Sequence, residues 1–484
     1  MNQQFQHPIE WECFSEIVQS KHCSIADWGP LHGPISSFTI RRDAELNLIL
    51  ETTSGNNSRS TATHPPLGTV QELTNQITFK NEYLGTATAV GLVPQGLRRT
   101  YTSTETGGQT TETSSIHALT WTSARVGESA YTMDWLESVP NAYHWPHIVD
   151  STDTETISNK FRADDFEISM NASVESRSSS LACAHLRIDG MDIFVGTLHK
   201  KSIANIEMPG YILYKGCPDA SFREKLRGAL SFALGQYLVY LGHSSFNEKW
   251  DLIQLEAISP ATLGGAATKL VAQPPAPLDM QRQWWISPDS LQRVAESIFQ
   301  SYDKYGLRSA LWGYWHGMAA PAHIAAVHFA AVIERLQTTY FTFHDANSKS
   351  LLDKKTWKEL QKQLVAELEK VGLTEELETI LRNKLDSLNS APQSILMKRF
   401  LGELNIEMGS VETRAWREGR NRAAHGGVIE RREFTKVVRE NKSLRVLINR
   451  MILAMCGAAD FYIDYYTLEH PIQPIQKPSP EDLG

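Results

Sequence analysis

The stretch SPATLGGAATKLVAQPPAPLDM, Ser259 to Met280, divides the chain into two kinds of sequence. Gly264-Gly265 and Pro274-Pro275-Ala276-Pro277 interrupt any helix or strand that approaches them, which is the punctuation of a linker. On its N-terminal side apolar residues alternate; on its C-terminal side they recur every three or four residues. Those two periods belong to strands and helices respectively.

The strand side is rich in Thr, Ser and Val. Ser37 to Arg41, Leu46 to Thr53, Gln76 to Lys80, Thr86 to Val93 and Ile116 to Ala124 read as strands. So do Phe166 to Val174, Leu181 to Ile188, Asp192 to Leu198 and a short run near Asp251 to Ile258. Gly55-Asn56-Asn57, Gly107-Gly108 and Asp189-Gly190 are expected to mark turns between some of them. The exception is SFREKLRGALSFALGQYLVYL, Ser221 to Leu241, where Leu226, Leu230, Leu234 and Tyr237 keep helical spacing. It is expected to close the β-rich domain.

Beyond the linker, Ser287-Pro288 opens a helix to about Tyr305, since proline suits the first helical position. A long apolar helix ending near Phe341 follows, then helices at about 355–371, 375–389 and 394–404. Another ends at His425-Gly426-Gly427, and the last runs from Glu433 to about Tyr466. The fold class is therefore α+β: a mainly antiparallel β-rich domain, 1–258; a linker, 259–283; an all-α bundle, 284–470; and a tail, 471–484, with no core-forming pattern.

The 484 residues exceed one ordinary core, and 41% hydrophobic residues exclude bulk disorder. The net charge of -8 argues against a protein that coats nucleic acid by charge alone. Charge is uneven, however. Residues 1–280 hold 20 basic and 30 acidic side chains, whereas residues 391–450 hold 13 basic and 7 acidic. A polyanion is expected to dock on that second segment. Five scattered cysteines without a C-x-x-C pair read as reduced thiols of a cytoplasmic protein, and no signal or membrane segment is expected.

The basic segment contains VETRAWREGRNRAAHGG, Val411 to Gly427. On a continuous α-helix Arg417, Asn421 and His425 fall near one face, with Arg420 on its flank. Arg420 offers a planar fork to phosphate oxygens and His425 exchanges protons near neutral pH. Together they suit metal-free RNA cleavage by attack of the ribose 2'-hydroxyl on the adjacent phosphorus. The same cations would also complement a helix C-terminus, which is a purely structural use. His316, His323 and His328 do not share one helical face, and neither metal nor cofactor is expected.

Arg420-Asn421-x-x-x-His425-Gly426 resembles the R-x4-6-H signature of HEPN domains, in the form typical of their ribonuclease members. The chain as a whole resembles ApeA-like anti-phage defence proteins. WGPLHGPISSFTIRRDAELNLIL (Trp28 to Leu50), ALSFALGQYLVYL (Ala229 to Leu241) and HFAAVIERL (His328 to Leu336) carry that likeness. The resemblance implies a β-rich sensor domain before a HEPN bundle, and a homodimer or larger homo-oligomer in which two motifs meet. It also implies abortive infection by cutting host RNA, tRNA foremost, once a phage-derived trigger is sensed. Arg420, His425 and Asn421 would be catalytic, Arg417 and Arg422 would bind RNA, and Glu334 would orient the motif. The alternative is a non-catalytic HEPN dimerisation or RNA-binding scaffold with a ligand-sensing β domain.

Overall fold

A computed structural model of the chain describes residues 18, 23–60, 75–81, 85–101, 108–124, 127–141, 143–163, 166–198, 206–278, 285–344, 349–419 and 430–480. It falls into two compact units. One comprises Met1–Phe222, Tyr237–Lys269 and Asp279–Asp289, the other Arg223–Gln236, Leu270–Leu278 and Ser290–Gly484.

The first unit is a large antiparallel β structure. Its strands are β1 (Ser24–Asp27), β2 (His32–Arg42), β3 (Leu48–Ser60), β4 (Gln76–Asn81), β5 (Gly85–Val90) and β6 (Val93–Tyr101). Next come β7 (Gly108–Ile116), β8 (Ala118–Ser123), β9 (Tyr131–Glu137), β10 (His147–Ala163), β11 (Phe166–Ile188) and β12 (Met191–Thr197). β13 (Gly210–Lys215), β14 (Val239–Phe246) and β15 (Leu252–Ile258) complete it. Eleven strands form one sheet in the order β1-β4-β5-β8-β15-β14-β9-β13-β12-β11-β10, and four form another in the order β2-β3-β7-β6. Period-two side chains from both sheets meet in one core, where Phe38 of β2 lies 5.0 Å from Phe79 of β4 and Leu48, Leu50, Ala87, Ala89 and Leu119 are buried around them.

Arg42, at the end of β2, is buried and donates to the carbonyls of Ile258 at 2.7 Å and Leu241 at 2.9 Å. It thereby fastens the β2–β3 hairpin to the ends of β14 and β15. Several strands escaped the periodicity. The face of β7 that is buried carries Thr110, Glu112 and Ser114, so its pattern reads as polar throughout, and Glu112 there accepts from the backbone N–H of His32 at 2.9 Å.

The second unit is helical. It contains α1 (Ala220–Leu234) for all but its first turn, α2 (Pro288–Ser301), α3 (Leu307–Ala319), α4 (Ala322–His344) and α5 (Lys354–Glu369). α6 (Glu375–Ser387), α7 (Gln393–Glu403), α8 (Ser410–Arg414) and α9 (Phe434–Cys456) follow. Long α4 and α9 pack on each other, and α3 packs along α4. Gly313 and Gly317 permit the close approach of α3, since a Cβ at Gly317 would stand 2.6 Å from the Phe329 ring.

Three sequence expectations are corrected here. The segment expected to close the β domain is α1, and it belongs with the helices: Phe232 meets Tyr314 edge-on at 6.2 Å, Arg308 pairs with Glu224 at 2.6 Å, and Lys225 pairs with Asp303. The expected single apolar helix is two, broken at Ala320-Pro321, because proline cannot continue the α3 ladder. Finally, the described parts of the linker and tail, 259–278 and 471–480, are not free chain. Pro274 and Pro275 carbonyls accept from Tyr465 and from the Ile463 N–H, and β16 (Phe461–Ile463) pairs with β17 (Ile472–Pro474). Among the described residues no helix is long and apolar enough to cross a membrane.

Candidate functional site

The motif residues Arg420, Asn421, Arg422 and His425 lie outside the described residues, while both flanks of the motif are described. Upstream, the continuous α-helix expected from Val411 does not form. α8 covers only Ser410–Arg414, and a π turn follows over Ala415–Gly419. π turns are rare and concentrate at functional sites, and the wider turn alters the face on which later residues emerge. Asn421 and His425, the other two members of the expected helical face, lie outside the described residues. The π turn buries Ala415 and Trp416 and leaves Arg417 and Glu418 exposed.

A buried ion pair fixes the start of this segment. Arg450 of α9 and Glu412 of α8 are both fully buried and meet at 2.6 Å. The remaining guanidinium donors reach the carbonyls of Ile475 at 2.9 Å, Glu407 at 2.7 Å and Gln476 at 3.1 Å. The other Glu412 oxygen accepts from the Gly409 N–H at 3.0 Å, closing the first turn of α8. Burial pushes the Glu412 carboxyl above the usual carboxylate range, and Arg450 opposes that shift. The Tyr462 ring lies 5.3 Å from the Arg450 guanidinium carbon. One side chain thus joins α9, α8 and the chain terminus, which explains why residues 471–480 are held.

Downstream, a 3-10 turn over Arg431–Glu433 leads into α9. Arg414, Arg417, Arg431, Arg432 and Lys436 are exposed around the motif's two ends. Arg432 pairs with Glu430 at 2.6 Å and Lys436 with Glu418 at 3.5 Å. No carboxylate pairs with Arg417 among the described residues, which leaves its charge available to an external anion. Glu334 sits half-buried on α4, the helix that packs against both α9 and the π turn. Arg417 and Glu334 are accordingly carried by elements that meet.

His316 and His328 stack at 6.0 Å across α3 and α4, a pairing that their sequence spacing hid. Burial and the neighbouring imidazole both lower the pKa of His316. No group of three or more metal-ligating side chains occurs among the described residues. Sequence reasoning missed Glu412 and Arg450; Arg450 shares the buried side of α9 with Glu440, Ser443, Arg445 and Asn449, so no lone charge on an apolar face announced it. Comparison with protein-family models, curated proteins and solved structures finds no match.

Proposed function

We propose that the chain is a metal-independent endoribonuclease of the HEPN type, acting in the cytoplasm in abortive infection. It cuts host RNA, tRNA foremost, after the β-rich unit senses a phage component, and works as a homodimer or larger assembly. The observation that supports this best is the framing of the motif. In sequence, residues 420–429 fall between the π turn that follows α8 and the 3-10 turn that precedes α9; α8 and α9 are tied together through the buried Arg450 and Glu412 pair, and exposed arginines stand on both flanks.

In the proposed reaction the ribose 2'-hydroxyl attacks the adjacent phosphorus and the P–O5' bond breaks. A cyclic 2',3'-phosphate and a 5'-hydroxyl result, with no water consumed. His425 moves a proton, Arg420 stabilises charge on the phosphoryl oxygens, Asn421 orients the site, and Arg417 and Arg422 hold flanking phosphates, while Glu334 positions the motif. The test is tRNA degradation by purified protein in EDTA. Arg420→Ala and His425→Ala should each reduce cleavage at least about 100-fold, the lower end of what a general acid or base contributes. Undiminished cleavage by either variant defeats the assignment, and RNA retention without cleavage by the parent protein establishes the scaffold instead.

A further inference from the structure

Helices α5 and α6 form an arm that leaves the bundle and returns. Its neck is closed by hydrogen bonds from Leu351 N to Asn389 O and from Ala391 N to Lys349 O, both 2.8 Å, and by Arg399 donating to Ser350 O at 2.8 Å. The two helices pack on each other, yet neither contains one buried residue. Leu364 and Leu368 on α5 with Val371 just past its end, and Leu381 and Leu385 on α6 with Leu388 at its C-cap, line an open apolar groove of about 300 Å³. Each trio is spaced i, i+4, i+7, the pattern of a helix seam that expects a partner. Val371 is 64% exposed and Leu388 54%. A contiguous apolar face of this kind marks an interaction surface.

Charge along the arm identifies the occupant. The half nearest the neck, residues 353–363 and 383–388, holds 5 basic and 3 acidic side chains; the tip half, 364–382, holds 2 basic and 5 acidic. On α5 alone Lys354, Lys355, Lys358 and Lys362 precede Glu367 and Glu369. An identical arm laid antiparallel, α5 against α5 and α6 against α6, sets the net-basic half near the neck against the net-acidic tip half, a polarity carried mainly by α5, since α6 holds only Lys384 and Asp386 in its neck half. A parallel arrangement opposes like charges.

We propose that a second copy of this chain docks here, so that two arms form an antiparallel four-helix bundle about a two-fold axis. The apolar groove supplies the affinity and the charge polarity sets the direction. The inference names a surface for the self-association in the ribonuclease reading, but it stands on the arm alone.

Sedimentation equilibrium of the full-length protein tests it, with circular dichroism to show that each variant is folded. The parent protein should dimerise, and Leu381→Glu with Leu388→Glu should weaken dimerisation at least 100-fold. Reversing Lys354, Lys355, Lys358 and Lys362 to Glu should weaken it at least tenfold at low salt. So should reversing Glu367, Glu369, Glu375 and Glu376 to Lys, and a mixture of those two reversed proteins should form heterodimers. A parent protein that stays monomeric, or a dimer indifferent to the leucine substitutions, overturns the proposal. RNA cleavage is a separate readout, so either reading can fail without the other.

Discussion

Helix α9 and the α5–α6 arm are amphipathic by the same rule, yet their fates are opposite. Of 23 residues in α9, Leu444, Leu447, Ile448, Met451 and Ile452 are among the fully buried, together with Arg450; the arm buries none. Periodicity specifies which side of a helix is apolar. Whether the same chain supplies a cover for that side is a tertiary outcome, and the arm is the case where it does not.

The contrast makes a charge worth far more in α9 than on the arm. Arg450→Ala leaves Glu412 and three backbone carbonyls buried without their donor. It should destabilise the helical unit by about 3 to 5 kcal/mol, read from the urea transition of that unit. Glu412→Leu with Arg450→Met should recover only part of the loss, because those carbonyls stay unsatisfied. The arm substitutions Leu381→Glu and Leu388→Glu should instead shift the same transition, in monomer, by less than about 1 kcal/mol, since exposed sites contribute little. A large shift there would mean the arm face is covered within the chain.

The sheet unit extends the comparison to a lone buried carboxyl. Glu137 of β9 is buried, its carboxylate accepts from the Met208 N–H at 3.1 Å, and burial raises its pKa from 4.5 to about 7. The folded state holds this proton more tightly than the unfolded state. The resulting stability is therefore full below about pH 4.5 and is lost as pH rises through about 7. Glu137→Gln should remove this dependence, gaining as much as about 3 kcal/mol over the parent at pH 8 in denaturant titrations. Parallel pH profiles for the two proteins would show that Glu137 is not buried as a neutral acid.

The smallest expected effect is at the arm's own start. Asp353 caps α5, accepting from the Thr356 hydroxyl at 2.6 Å and from the N–H groups of Lys355 and Thr356 at 3.0 Å, and these bonds, the hydroxyl's foremost, lower its pKa. Asp353→Ala should speed amide exchange in the first turn of α5 and leave α9 unchanged. In the parent protein the same fraying should appear as pH falls through the carboxylate range, because the cap is strongest when ionised.

Much of this was legible in the sequence. Alternation marked β2 and β5, a short apolar run marked β12, and three- and four-residue recurrence marked α2, α5, α6 and α7 within a few residues. β7 was not legible, because its buried face carries hydroxyls and a glutamate in place of aliphatics. At the motif, residue types were readable and geometry was not. A π turn is a local departure from helical spacing that side-chain pattern does not announce, and Arg417 lies within it.

By itself the sequence determined the α+β class, the basic segment around the motif and the amphipathic face of each helix, because these follow from local composition and period. Only the tertiary structure decided that α1 joins the helices, that Arg450 holds Glu412 and the backbone of Ile475 and Gln476 in one clamp, and that the arm's leucines stay uncovered. Each of these depends on which distant groups arrive to satisfy a charge or cover a face. Sequence spacing along one element carries no record of that meeting.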